Sequence, residues 1–217
     1  MTSKQVIRTA LVMLAALFAA AAPAQEARNR NWNTQVAVTD ASHVIGNPAA
    51  KVKITEYISY TCPHCAAFAR EGEAPLELAY IGTGRASLEI RHLLRDPIDL
   101  TVTLLTHCGP ASKFKQNHSA FMLGQANWIA PLGNASEAQR QRWTQRGVAG
   151  RRAIASDFGF YRIMERRGYS RAEADRCLAD DALARKLAEA SDKDWKLPGV
   201  RGTPAFAINR WILAGTD

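Results

Sequence analysis

Cysteine is scarce in this sequence, at four residues in 217, and long apolar runs are scarcer still. A bilayer-spanning helix needs roughly 20 consecutive apolar residues, and no segment beyond the first two dozen positions approaches that. No internal repeat and no low-complexity tract follows that leader, which argues against a stacked-repeat architecture. Gly82-Thr83-Gly84 lacks the rest of any nucleotide-binding pattern. There is one Cys-x-x-Cys pair and no second pair, nor two spaced histidines, to complete a four-ligand zinc site. The net charge of +8 is modest. Its basic residues (Arg140, Arg142, Arg151, Arg152, Arg166, Arg167) are scattered among acids, which predicts a solvated surface and no nucleic-acid partner.

The first 24 residues have the pattern of an export signal. Lys4 and Arg8 precede an apolar run from about Thr9 to Ala22, which closes on Ala22-Pro23-Ala24 before Gln25. An uncleaved membrane anchor is the alternative. Cleavage after Ala24 removes two basic residues and no acids, leaving 193 residues with a net charge of +6. That length is one domain, or one domain with an insertion, and it suffices for a proper core.

The remaining pattern is mixed. Val52 to Tyr60 alternates as a strand, with Val52, Ile54, Glu56, Ile58 and Tyr60 on one face. Cys62-Pro63-His64-Cys65 follows at once and leads into an apolar helix, with Pro63 suited to its first turn and Pro75 expected to kink or end it. Ser87 to Leu94 reads as a second strand, so the segment forms a βαβ unit with a parallel pair. From Pro97 to Lys196 the pattern is helical. Ser136 with Gln139, and Ser170 with Glu173, fit capping boxes. Ile154, Phe158 and Tyr161 share one helical face, as do Leu183, Leu187 and Ala190. Ala205–Ile208 and Trp211–Leu213 flank Asn209-Arg210 and predict a hairpin, although Arg210 stands where such turns favour glycine. The predicted organisation is an export signal at 1–24 and an N-terminal arm with the first strand at 25–44. The first part of an α/β unit spans 45–96, a helical insertion 97–196, and the second part 197–217.

In an exported chain of this length, a few specially spaced cysteines point to chemistry more than to stapling. A single Cys-x-x-Cys pair can bind metal, form a structural disulfide, or cycle between dithiol and disulfide. At a helix N-terminus the free N–H groups and the dipole favour a Cys62 thiolate, and His64 adds a donor. A stabilised thiolate makes the disulfide an oxidant. Cys65, a turn further in, would be the resolving thiol. Glu56, six residues before Cys62 on an apolar strand face, is expected to have a raised pKa and to exchange a proton with Cys65; the alternative is an edge carboxylate reaching water. Thr203-Pro204 at a strand start is a candidate cis peptide.

Glu56-Tyr-Ile-Ser-Tyr-Thr-Cys62-Pro63-His64-Cys65, with Gly199-Val-Arg-Gly-Thr203-Pro204-Ala-Phe far downstream, resembles the DsbA-like branch of the thioredoxin superfamily over most of residues 45–215. The resemblance implies an α/β, thioredoxin-like fold with an inserted helical subdomain. It implies Cys62 as nucleophile, Cys65 as resolving cysteine, His64 as tuner of redox potential, Glu56 as buried acid and Pro204 as a cis-proline against the pair. Thr203 would offer its backbone to an extended substrate. It further implies a periplasmic oxidant of reduced exported polypeptides, recharged by a quinone-linked membrane protein. No organic cofactor is needed, because the cysteine pair carries the electrons. A reductase or isomerase on the same fold is the nearest alternative, and a metal carrier using Cys62, His64 and Cys65 the alternative of another class. The short arm favours a monomer, and the helix such proteins carry after the last hairpin has no counterpart before Asp217. Cys108 and Cys177, 69 positions apart, would form a second, structural disulfide or remain two buried thiols. His43, His92, His107 and His118 share no spacing and are assigned to structure or surface. Trp128, Trp143, Trp195 and Trp211 are assigned to core or groove.

Overall fold

The computed structural model describes residues 31–213, so the export-signal reading lies outside the described residues. The sheet contains β1 (Val36–Val38), β2 (His43–Gly46), β3 (Val52–Ile58), β4 (Ala86–His92), β5 (Ala205–Ile208) and β6 (Trp211–Ile212), in the order β1-β2-β4-β3-β5-β6. β3 and β4 are parallel, with Glu56 opposite Ile90, and are joined through helix α1 (Pro63–Glu71) and the short turn α2 (Glu73–Leu76). β2 lies antiparallel to β4, and β5 antiparallel to β3. β3 and β4 therefore occupy the middle of the sheet, where Leu88 and Ile90 share one buried face of β4.

The helices between β4 and β5 begin with α3 (Pro97–Thr106) and α4 (Phe114–Leu123). The short α5 (Gln125–Trp128) and α6 (Pro131–Asn134) follow, then α7 (Glu137–Trp143) and α8 (Val148–Asp157). α9 (Phe160–Arg166), α10 (Arg171–Leu178) and α11 (Asp181–Asp194) complete the series. Both predicted capping boxes are formed, at Ser136 with Gln139 and at Ser170 with Glu173. The face shared by Ile154, Phe158 and Tyr161 is not one helix. The chain breaks at Phe158, passes through Gly159 at φ 69°, and restarts at Phe160. Pro75 does not end α1 either. That helix stops earlier at Gly72, where a Cβ would lie 2.3 Å from the Phe68 ring, and Pro75 falls inside α2.

One face of the sheet packs with the inserted helices into the main core, which includes Ile58, Tyr60, Cys62, Cys65, Phe114, Phe121 and Phe160. The opposite face carries a smaller cluster of Tyr57, Leu93, Val200, Ala205 and Ala207, against which Trp195 and Leu197 pack. Trp128 and Trp143 are buried as expected, whereas Trp211 is 79% exposed on the two-residue strand β6. Arg151 departs from the solvated-surface reading: it is buried and paired with Asp181.

Cys108, just past α3, and Cys177 in α10 form a disulfide with 5.6 Å between their Cα atoms. It ties α10 to the end of α3 across a separation of 69 residues, a loop whose closure contributes about 4 kcal/mol on the chain-entropy model. The Cys108→Ala/Cys177→Ala variant should lose up to about 4 kcal/mol, read as a fall in the urea midpoint with a steeper slope, because the unfolded chain without the cross-link exposes more surface. The terminal turn has φ 49° at Asn209 and 74° at Arg210, the double positive φ of a type I′ hairpin. Glycine takes that conformation at no steric cost, so Arg210→Gly should gain about 0.5–1 kcal/mol in the same measurement.

Candidate active site

The site forms where β3 leaves the sheet. Its ladder ends at Ile58, and Ser59-Tyr60-Thr61 turns the chain toward α1. Polar side chains hold this turn rather than further sheet pairing. Asp99 accepts from the Ser59 hydroxyl at 2.6 Å and the Tyr60 N–H at 2.8 Å. Asp96 accepts from the Thr61 hydroxyl at 2.8 Å and, as the cap of α3, from the Asp99 N–H. Gln125 donates from Nε2 to the carbonyls of Tyr60 and Cys62, at 2.7 and 2.8 Å. The sequence reading named none of these three. Asp96-Pro97 was a readable helix start, but its reach back to Thr61 is a tertiary fact.

Cys62 then sits at the N-cap of α1 in extended conformation, with Pro63 at the first helical position. His64 lies on the exposed outer turn, and Cys65 faces the core. Both thiols are free and buried, Cys62 at 3% and Cys65 at 1% exposure. They differ in access. Cys62 borders a cleft of about 410 Å³ formed with Pro63, His64, Arg95, Trp195, Arg201, Gly202 and Thr203, and Cys65 does not line it.

The Cys62 pKa is lowered to about 5. The largest cause is a hydrogen bond from the Cys65 thiol, which outweighs the opposing effect of burial. Thr203 and the backbone N–H groups of Cys65 and His64 add to it. In the thiol form Cys62 donates to the Thr203 carbonyl at 3.0 Å, so Sγ must turn from that acceptor toward its donors as it ionises. Cys65 is pushed the other way, its pKa raised by the same bond to Cys62 and by burial. The pair is thus one anion and one proton donor.

The Thr203–Pro204 peptide is cis. Tyr57 pairs with Ala205, which sets Pro204 and Thr203 beside the exit of β3 and so beside Cys62. Register also places Glu56. Its cross-strand neighbours are Ile90 and Phe206, and the Phe206 ring meets Phe68 of α1 with centroids 4.7 Å apart. Glu56 is 1% exposed, and its Oε2 has no partner among the described residues. Burial first, and then the nearby charge of Glu73, raise its pKa well above the ordinary carboxylate value. It does not reach water as an edge carboxylate. Glu73 in turn pairs with His118 at 3.0 Å, and His118 with the Tyr60 hydroxyl at 2.9 Å.

His43, His92, His107 and His118, without a shared spacing in sequence, come together in the core around Phe114. Among the described residues, no three His, Cys, Asp or Glu side chains are placed to hold one metal ion, and no helix is long and apolar enough to cross a membrane.

A parallel β3–α1–β4 unit flanked by antiparallel strands, a cysteine pair at the start of α1 and a cis-proline opposite it define a thioredoxin-like fold carrying a helical insertion. Comparison agrees: residues 38–216 match the thioredoxin family model. A protein-disulfide isomerase from Novosphingobium aromaticivorans superposes with a TM-score of 0.79 at 49% identity, over 82% of this chain and 92% of that one. Wolbachia pipientis alpha-DsbA1 shares the fold, with a TM-score of 0.64 at 20% identity over 80% of this chain and 83% of that one. A relative from Rickettsia conorii, its name provisionally assigning a protein-disulfide oxidoreductase, is 28% identical over 173 residues, 79% of this chain. The chain spans 54% of that relative's length. The chain belongs to the thioredoxin family.

Titration of the reduced protein by thiolate absorbance should show one group ionising near pH 5. Because the Cys65 thiol is the largest stabiliser, Cys65→Ala should move that midpoint upward, toward the ordinary thiol range of about 8–9. An unmoved midpoint would assign the anion to the helix terminus alone.

Proposed function

We propose that the protein is a disulfide donor to reduced polypeptides exported to the periplasm. The carrying observation is the asymmetry of the cysteine pair. Cys62 borders the cleft and ionises near pH 5, while Cys65 is held as a thiol away from it.

The chemistry follows from that asymmetry. A substrate thiolate attacks Cys62 Sγ of the oxidised pair, the Cys62–Cys65 bond breaks, and its electron pair leaves on Cys65 Sγ. Cys65 is a poor anion and takes a proton as it leaves. Glu56, kept protonated by burial, is the proposed source. A second substrate thiolate then attacks the substrate sulfur of the mixed disulfide and expels Cys62 as a thiolate, a good leaving group at its low pKa. The substrate gives up two electrons and two protons, and the pair ends reduced. No organic cofactor enters. The Thr203 backbone, beside the cis-proline, offers hydrogen bonds to the substrate segment in the manner of strand addition. Reoxidation falls to a quinone-linked membrane protein, and the working unit is a monomer. His64 is the proposed tuner of the potential from the second helical position.

Direction is the point on which an oxidase and a reductase or isomerase part. Equilibration with glutathione at pH 7 should place the pair toward the oxidising end, nearer about −120 mV than about −270 mV. A value at the reducing end sinks the donor reading. Cys62→Ser should abolish oxidation of a reduced peptide, and Cys65→Ala, mixed with a disulfide-bonded peptide, should hold it as a mixed disulfide, because the Cys62 thiolate displaces one peptide sulfur and no Cys65 thiol is present to release the other.

Stability gives an independent check. The folded reduced protein ionises Cys62 near pH 5, whereas an unfolded thiol does so near about 8.5. A lowered folded pKa contributes stability that is complete above the unfolded pKa and lost as pH falls through the folded one. The oxidised form lacks this contribution. The melting temperature of the reduced form relative to the oxidised should therefore rise between pH 5 and pH 8.

A further inference from the structure

The cleft beside Cys62 carries a feature that disulfide exchange does not use. Two of its lining residues, Arg95 and Arg201, are exposed arginines, and none of its lining residues is a carboxylate. Neither guanidinium has an ion-pair partner among the described residues, whereas Arg91, Arg142, Arg151 and Arg152 each have one. The nearest acids in sequence are already committed. Asp96 turns inward to the Thr61 hydroxyl and the Asp99 N–H, and Asp99 is buried against Ser59, Tyr60 and the Arg95 backbone N–H.

Nor do these arginines serve the sulfur. The donors that hold the Cys62 anion are Cys65, Thr203 and the backbone N–H groups of the first helical turn. Two uncommitted positive charges thus line the cleft that a substrate must enter, with Trp195 an apolar member of the same lining. Arginine forks match carboxylates in bidentate geometry, and a like-signed lining steers opposite charge toward the site.

The geometry points to a preference for acidic substrates: Arg95 and Arg201 select polypeptide segments that carry glutamate or aspartate beside the reacting cysteine. This rests on the disulfide-donor reading above and names its substrate class.

The test uses the full oxidised protein and three synthetic peptides. Each has two cysteines, the first flanked by Glu, Gln or Lys, in an otherwise identical sequence. The rate with each peptide is divided by its rate with a small uncharged disulfide, which removes the effect of flanking charge on the peptide's own thiol. At low salt the Glu peptide should exceed the Lys peptide by about tenfold, and the ratio should shrink at about 1 M salt, where the screening length falls to about 3 Å. In Arg95→Ala/Arg201→Ala the Glu-to-Lys ratio should fall to near one. The ratio is internal to each protein, so a variant with lower overall activity still reports. Arg146→Ala/Arg185→Ala removes the same net charge from exposed positions outside the cleft and should keep the ratio. Equal rates for the Glu and Lys peptides in the unaltered protein overturn the inference, as does a ratio that survives loss of both cleft arginines. If no peptide is oxidised, the donor reading itself falls. If the Gln peptide is oxidised and charge makes no difference, only the acid preference falls.

Discussion

The hydrogen bond from Cys65 to Cys62 organises this site, because it gives two chemically identical groups opposite tasks. Alone at a helix start, a cysteine gains from backbone N–H groups and the helix dipole. Here the second sulfur adds the largest stabilisation, and it does so by keeping its own proton. One group becomes a better leaving group as the other becomes a worse one. That coupling exists only in the dithiol, so it favours the reduced pair and makes the disulfide willing to pass on.

Such a bond demands positional control, and the scaffold supplies it from three directions. The β3 ladder fixes where the chain leaves the sheet. Asp96 and Asp99, at the start of α3, fix the hydroxyl and N–H groups of Ser59-Tyr60-Thr61. Gln125, from the helical insertion, fixes the carbonyls of Tyr60 and Cys62. The insertion is therefore a wall of the site as well as a cover for the core. Asp99 shows the cost of this arrangement: burial raises its pKa to about 7 against the donors that favour its charge. The fourth side is the Thr203–Pro204 segment, delivered by pairing of β5 with β3.

What could be read from sequence was local. Cys62-Pro63-His64-Cys65 announces a strand-to-helix turn because proline and cysteine have positional meaning there. The alternation around Glu56 places its side chain on an apolar face, because strand period is a backbone property. The capping boxes at Ser136 and Ser170 are legible for the same reason. Where the reading failed, a tertiary choice had won. Ile154, Phe158 and Tyr161 keep helical spacing across a real break, since Phe158 and Phe160 both pack against Trp128 on either side of Gly159. Arg151 is basic but buried, because Asp181 comes to it from another helix. Gln125 carries no local signal at all, since its role is set entirely by carbonyls 63 and 65 positions away.

The histidines make the same point in chemical terms. His43, His92 and His107 are spread over the sheet and α3, yet they pack together with Phe114. Burial is the first cause that lowers each pKa, taking His43 to about 3 and His107 to about 4. They are aromatic spacers in the folded state and titratable only once the core opens. The sign is opposite to that of Asp99 and Glu56, whose raised pKa values favour acid conditions. Below the unfolded histidine value of about 6.5, an opened core takes up protons that the folded one refuses, so acid works against this part of the molecule. The layer joining sheet to insertion thus depends on histidines staying neutral, while the acids beside the cysteines depend on holding protons. The two demands conflict: near neutral pH the histidines cost nothing, whereas the buried acids have already lost part of the stability they contribute below their ordinary range of about 4.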